Sequence, residues 1–188
     1  MHKRKFLAAL GVAALLAACS TTSPNAPSDP AGKRASIDAN VSGALTKLYT
    51  QDPGARELVA KARGVLVFPS VVSAGFVVGG SYGTGALMIH GDTVGYYSTT
   101  AASVGLLAGA ESKAVYLLFM NDEALNKFRA SNGWTAGADA SVSVIKAGAN
   151  AGLDTQTMRA PVIGFVLTNG GLMANLSIDG TKVNRLAI

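Results

Sequence analysis

The chain has 188 residues, of which 49% are hydrophobic and only 14% charged, with 16 Lys+Arg against 11 Asp+Glu. A chain of this composition and length excludes intrinsic disorder and predicts one domain with a core of its own. One cysteine (Cys19) and two histidines (His2, His90) exclude an intramolecular disulfide and a structural zinc site, so no metal or cofactor is expected.

The formal charge of +5 suggests nucleic acid until its location is read. Lys3, Arg4 and Lys5 precede an apolar run over 6–18, which is too short to span a bilayer and reads as a cleaved signal peptide over 1–18. Removing it leaves 13 basic against 11 acidic side chains, and the nucleic-acid reading goes with it. Leu16-Ala17-Ala18-Cys19 resembles the bacterial lipobox, in which the cysteine thiol accepts the acyl groups and becomes the mature N-terminus. Two or three chains, at roughly 0.8 kcal/mol per buried methylene, hold far more firmly than one. Ser20, in place of the aspartate that retains lipoproteins at the inner membrane, points to the outer membrane facing the periplasm. Residues 19–35 are then the lipidated cysteine and a flexible linker, rich in Ser, Thr, Ala and Pro up to Gly32. The folded domain is expected over 36–188.

From Ser36, Ile37, Val41, Ala44, Leu45 and Leu48 recur at helical spacing. Asp52-Pro53 reads as the start of a second short helix that stops at Gly64. Beyond it, short Val-, Tyr- and Phe-rich runs punctuated by glycine predict strands over 65–68, 71–78, 86–90, 94–99, 104–107 and 114–120. A helix capped by Asn121 or Asp122 follows, and strands resume over 134–145, 162–168, 172–178 and 181–186. Asn169-Gly170-Gly171 and Asp179-Gly180 read as hairpin turns, making the last three strands an antiparallel meander. The apolar runs lack strict alternation, which implies strands covered on both faces or closed upon themselves. The fold class is α+β: a curved, largely antiparallel sheet or barrel-like core with N-terminal helices and one helix near 121–131. A Gly-x-x-x-Gly spacing recurs in 75–80, 105–110 and 133–138, where glycines four apart on a strand share a face.

No catalytic constellation emerges. Residues 79–85 fit neither the dinucleotide fingerprint nor the P-loop and read as a tight sheet connection. His90 before Gly91-Asp92 reads as a turn histidine, and no nucleophile elbow accompanies it. The adjacent Asp122 and Glu123 point apart on a helix and suit its N-terminal dipole. Trp134, Tyr82, Tyr96, Tyr97 and Tyr116 read as packing aromatics or as the lining of a cleft. The expectation is a protein that is not an enzyme. What remains is charge: Lys33, Arg34, Lys47, Arg56, Lys61 and Arg63 stand against Asp38, Asp52 and Glu57 in 33–63, whereas 64–188 balances. The positive end is the anchored end, where each cation near an anionic leaflet contributes roughly 1 kcal/mol.

The motifs Ala62-Arg-Gly-Val-Leu-Val-Phe-Pro69, Ala74-Gly-Phe-Val-Val-Gly-Gly80, Gly83-Thr-Gly85, Ser103-Val-Gly-Leu-Leu-Ala-Gly109 and Asn121-Asp-Glu-Ala-Leu-Asn-Lys-Phe128, in this order, resemble the SYLF domain family over about 37–188. That family includes eukaryotic lipid-binding actin regulators and short bacterial lipoproteins. The resemblance implies a phospholipid-binding module. Its eukaryotic members bind phosphoinositides with help from a basic, amphipathic N-terminal helix, for which the matching positions lie between Lys33 and Tyr49. In a bacterial envelope the anionic lipids on offer are phosphatidylglycerol and cardiolipin, and actin bundling is not expected. The expected lipid-binding residues are Lys33, Arg34, Lys47, Arg56, Lys61 and Arg63, with lipid attached at Cys19. The competing expectation is a structural envelope protein whose Tyr- and Gly-rich surface binds a protein or peptidoglycan partner.

Overall fold

The computed structural model describes residues 29–75, 78–104, 109–145, 159–169, 171–172 and 178–188. The signal segment, Cys19 and the linker up to residue 28 lie outside the described residues, as do 105–108 of the second glycine motif and 173–177 of the strand expected over 172–178.

Helix α1 (Pro30–Gln51) starts six residues before the expected Ser36. Pro30 suits a first helical turn, where its missing N–H costs nothing. Ile37, Val41, Ala44 and Leu48 form the buried stripe. The helix stops before Asp52-Pro53, since a residue preceding proline disfavours the helical region. Asp52 does not cap the next helix directly; its Oδ1 accepts from the Gly54 N–H at 2.9 Å in a turn, and α2 (Ala55–Lys61) begins after it.

Four long strands follow: β1 (Gly64–Gly75), β2 (Val78–Ile89), β3 (Asp92–Val104) and β4 (Gly109–Phe119). After α3 (Asp122–Ala130) come β5 (Trp134–Thr135), β6 (Val142–Val144), β7 (Val162–Thr168), β8 (Gly171–Leu172) and β9 (Lys182–Arg185). They form one curled sheet in the order β5-β9-β3-β2-β1-β4-β7-β6, with β8 on β7. Among the described strands only β6–β7 is parallel. This is the α+β architecture with a curved antiparallel sheet that the sequence predicts.

The sheet is covered on both faces, so all of 64–68 is buried. One face packs α1 and α2 against Val65, Val67, Ala86, Tyr116, Leu118 and Phe165. The other packs Leu66, Phe68, Leu87, Leu117 and Phe119 against Leu125 and Phe128 of α3 and against Trp134. There Phe128 meets Phe119 at 4.8 Å and Trp134 at 5.7 Å between ring centroids. The N-cap of α3 is Asn121, whose side chain accepts from the Ala124 N–H at 2.8 Å.

Several local expectations are corrected. Residues 79–85 are not a connection but the first half of β2, where glycines let the strands approach: a Cβ on Gly85 would collide with the Val67 carbonyl oxygen. The strand expected over 134–145 breaks into β5 and β6, because Thr135 to Asp139 turn back on themselves, with Gly137 at φ +82° and the Asp139 carboxylate accepting from the Thr135 N–H. The C-terminal meander stops after one antiparallel pair: β8 returns along β7, but β9 pairs with β3 and β5. In the first and third copies of the glycine motif the two glycines do not lie on one strand. Gly75 pairs with Gly79 across the β1–β2 hairpin and with Gly109 on β4, so two of its copies meet at one sheet end, while Gly133 and Gly137 flank β5.

Candidate functional site

Pro69, which has no N–H to donate to a ladder, sits at a bulge in β1. The register slips by one between Val67 and Ser70 against β2 and between Phe68 and Val71 against β4. The slip changes which residues face which layer. Val71 joins the α3-side core, and Ser70 and Val72 turn to the α1 side, in register with Thr84 and Tyr82 of β2.

Helix α1 covers only part of that face. Its start is fixed over β3, where Tyr96 Oη donates to Asp38 Oδ2 at 2.8 Å and Thr93 Oγ1 donates to Asp38 Oδ1 at 2.9 Å. Further along, Tyr116 Oη donates to the Ala44 carbonyl at 2.8 Å, and Lys47 Nζ reaches Asn169 Oδ1 beyond β7 at 3.4 Å. Between the helix and the sheet lies a groove of about 440 Å³, lined by Asn40, Gly43 and Lys47 from α1 and by Ser70, Thr84, Ser112 and Asn169 from the sheet side. This volume is within the range of small-ligand sites, roughly 300–1,000 Å³. Ser70 Oγ and Ser112 Oγ are 2.9 Å apart on its floor. Past the groove the same face is open: Val72, Val78 and Tyr82 are 47%, 71% and 54% exposed.

The six basic residues differ in what engages them. Arg56 stacks over the Tyr49 ring at 4.4 Å, Lys61 pairs with Glu57 at 2.7 Å, and Arg63 Nε lies 3.7 Å from Asp122 Oδ2. Lys33, Arg34 and Lys47 all belong to α1 and make no ion pair with a described residue. Arg56 also borders a second hollow of about 330 Å³, whose other walls include Leu45, Val59, Met88 and His90. His90 is an exposed turn residue at φ +53°. Trp134, Tyr97 and Tyr116 are core residues, Tyr96 is tied to Asp38, and Tyr82 is the tyrosine left on the open surface.

Burial sets the titration of the neighbouring groups. Desolvation pushes the Tyr116 phenol up to about 12. Tyr96 is raised by desolvation first and then by its bond to Asp38 and that carboxylate's charge, against a lowering by Arg34. Desolvation lowers the Lys113 ammonium, with Glu111 opposing. No cluster of metal-ligating side chains occurs among the described residues.

The groove residues Asn40, Gly43, Ser70, Thr84, Ser112 and Asn169 escape a search for charges and motifs. Their signal in the sequence is small polar side chains where a covered strand would carry apolar ones, and it has meaning only once the bulge at Pro69 fixes the face.

Residues 100–186 match the family model described as Ysc84, Las17-binding protein actin regulator. The match begins within β3 and runs through β9, so it includes the Ser112, Tyr116 and Asn169 wall of the groove, whereas α1, α2, β1 and β2 precede it. No curated protein matches the chain.

Proposed function

Over residues 100–186 the chain belongs to the Ysc84 (SYLF) domain family, and from that membership we propose that it is a lipid-anchored protein of the bacterial envelope whose domain binds anionic phospholipids through the cations of α1. The family is one of lipid-binding actin regulators. Lipid binding is the part carried over here, and Las17 and actin are not. The domain acts by binding rather than by catalysis.

The observation that carries the reading is the state of the cations. Lys33, Arg34 and Lys47 lie on one helix without an ion-pair partner among the described residues, while the nearby Asp38 is held by Tyr96 and Thr93. Cations held this way are available to an anionic leaflet, at roughly 1 kcal/mol each. Arg56, Lys61 and Arg63, already engaged with Tyr49, Glu57 and Asp122, contribute less.

The lipobox reading supplies the second half. With Cys19 acylated, the chain is tethered to the membrane ten residues ahead of Pro30. Ser20 after the cysteine favours the periplasmic leaflet of the outer membrane. Cys19→Ser tests the anchor: acylation and cleavage before residue 19 are both expected to stop, and a variant still processed there and still detergent-extractable with the membrane contradicts the lipoprotein reading.

A further inference from the structure

The groove beside α1 and the open strip beyond it are one continuous surface. Ser70 and Val72 are two apart on β1 and face the same way; Thr84 and Tyr82 repeat this on β2, and Val72 lies in register with both Tyr82 and Ser112. The surface changes character along the strands. On the helix side it carries the hydroxyls of Ser70, Thr84 and Ser112 beside Lys47, among apolar neighbours such as Ala114 and Leu167; towards the far ends of β1 and β2 it is apolar, with Val72, Tyr82 and Val78 exposed. A polar, cation-bordered end joined to an apolar end is the complement of an amphiphile with an anionic head.

We propose that this surface seats a single anionic phospholipid, its phosphate in the groove within reach of Lys47 and the hydroxyls of Ser70 and Ser112, its acyl chains along Val72, Tyr82 and Val78. The inference rests on the lipid-binding reading and names the site within it. A planar membrane fits less well, because α1 stands above the sheet by a helix diameter, roughly 10 Å, and an intact bilayer does not follow that step. A second copy of the chain fits less well too. The strip offers three large apolar side chains, against the roughly 20–30 residues a side of a stable interface. Gly43 leaves the groove open where α1 passes, since nothing lies within 4 Å of where its Cβ would be.

The test uses the full chain with vesicles of phosphatidylglycerol carrying a photoreactive group on the acyl chain, with the labelled residues mapped by mass spectrometry. Labelling is expected on 70–84. Gly43→Phe, which fills the groove, is expected to reduce it at least fivefold, and Lys47→Glu to reduce labelling by phosphatidylglycerol more than by an equally labelled neutral lipid. Val94→Phe, at the opposite end of β3 and also exposed, is expected to leave it unchanged. Vesicle association with labelling only outside 70–84 overturns the proposed site and leaves lipid binding standing. Labelling at Val78 indifferent to both groove variants also overturns it, by showing a hairpin tip dipped into the bilayer. Displacement of the label by soluble glycerol phosphate replaces the lipid with a free phosphate ester. A chain that does not associate with the vesicles fails the lipid-binding reading itself.

Discussion

Tyr96 and Asp38 are 58 residues apart and joined by one hydrogen bond of 2.8 Å, which fixes the basic end of α1 to strand β3. With the Thr93 bond to the same carboxylate, it sets where Lys33 and Arg34 stand relative to the sheet. Asp38→Ala is expected to lower stability by about 1 kcal/mol and to raise amide exchange over 30–38 more than over the rest of α1. Asp38→Asn is expected to lower the Tyr96 pKa, because the carboxylate's charge and its bond both raise it. An unchanged exchange pattern in Asp38→Ala contradicts the clamp.

Tyr116 gives a pH prediction with a definite sign. Its phenol must stay neutral to donate to Ala44, and its pKa of about 12 exceeds the value near 10 of an unfolded tyrosine. The folded state therefore holds the proton more tightly, and stability is full below pH 10 and falls as pH rises towards 12, by on the order of 2 kcal/mol. Tyr116→Phe is expected to flatten that fall in denaturant titrations between pH 9 and 12. An equally steep loss in the variant assigns the effect elsewhere.

Two glycine-to-alanine changes should act in opposite directions. Gly85 pairs with Tyr97 on β3 and lies opposite the bulge of β1, where a Cβ meets the Val67 carbonyl, so Gly85→Ala is expected to destabilise by about 1–3 kcal/mol. Gly43 lies in a helix with open space around it, so Gly43→Ala is expected to stabilise by about 0.8–1 kcal/mol. Thermal melts of the two variants decide both.

Asn121→Ala removes the acceptor for the Ala124 N–H and is expected to cost about 1 kcal/mol, with Asn121→Asp restoring most of it. If the two variants melt together, the cap is not what holds the start of α3.

The elements legible in the sequence were those whose cause is local. The stripe Ile37, Val41, Ala44, Leu48 announces α1, and Asn121 before Ala124, Leu125 and Phe128 announces α3. The glycine-rich stretch 79–85 misleads because glycine usually marks a turn; here it is required by a neighbouring strand, and that closeness is a tertiary fact. The path of β9 to β3 and β5, instead of back along β8, is likewise decided by distant partners. The basic segment was legible as composition, but not its division: stacking on Tyr49 and pairing with Glu57 and Asp122 separate Arg56, Lys61 and Arg63 from the three cations of α1.

That division tests the account most directly, through co-sedimentation of the domain lacking residues 1–19 with vesicles. Binding is expected to favour phosphatidylglycerol or cardiolipin over neutral lipid and to weaken with salt, as the Debye length falls from about 10 Å at 0.1 M to about 3 Å at 1 M. Reversing Lys33, Arg34 and Lys47 to glutamate is expected to remove most of it. The control with equal charge change reverses Lys127, Arg129 and Lys182, which are exposed, instead of the partly buried Lys113, whose reversal would also cost stability. A much larger loss is expected from the α1 triple than from the control. Equal losses, or undiminished binding by the α1 triple, would contradict lipid binding through the α1 cations.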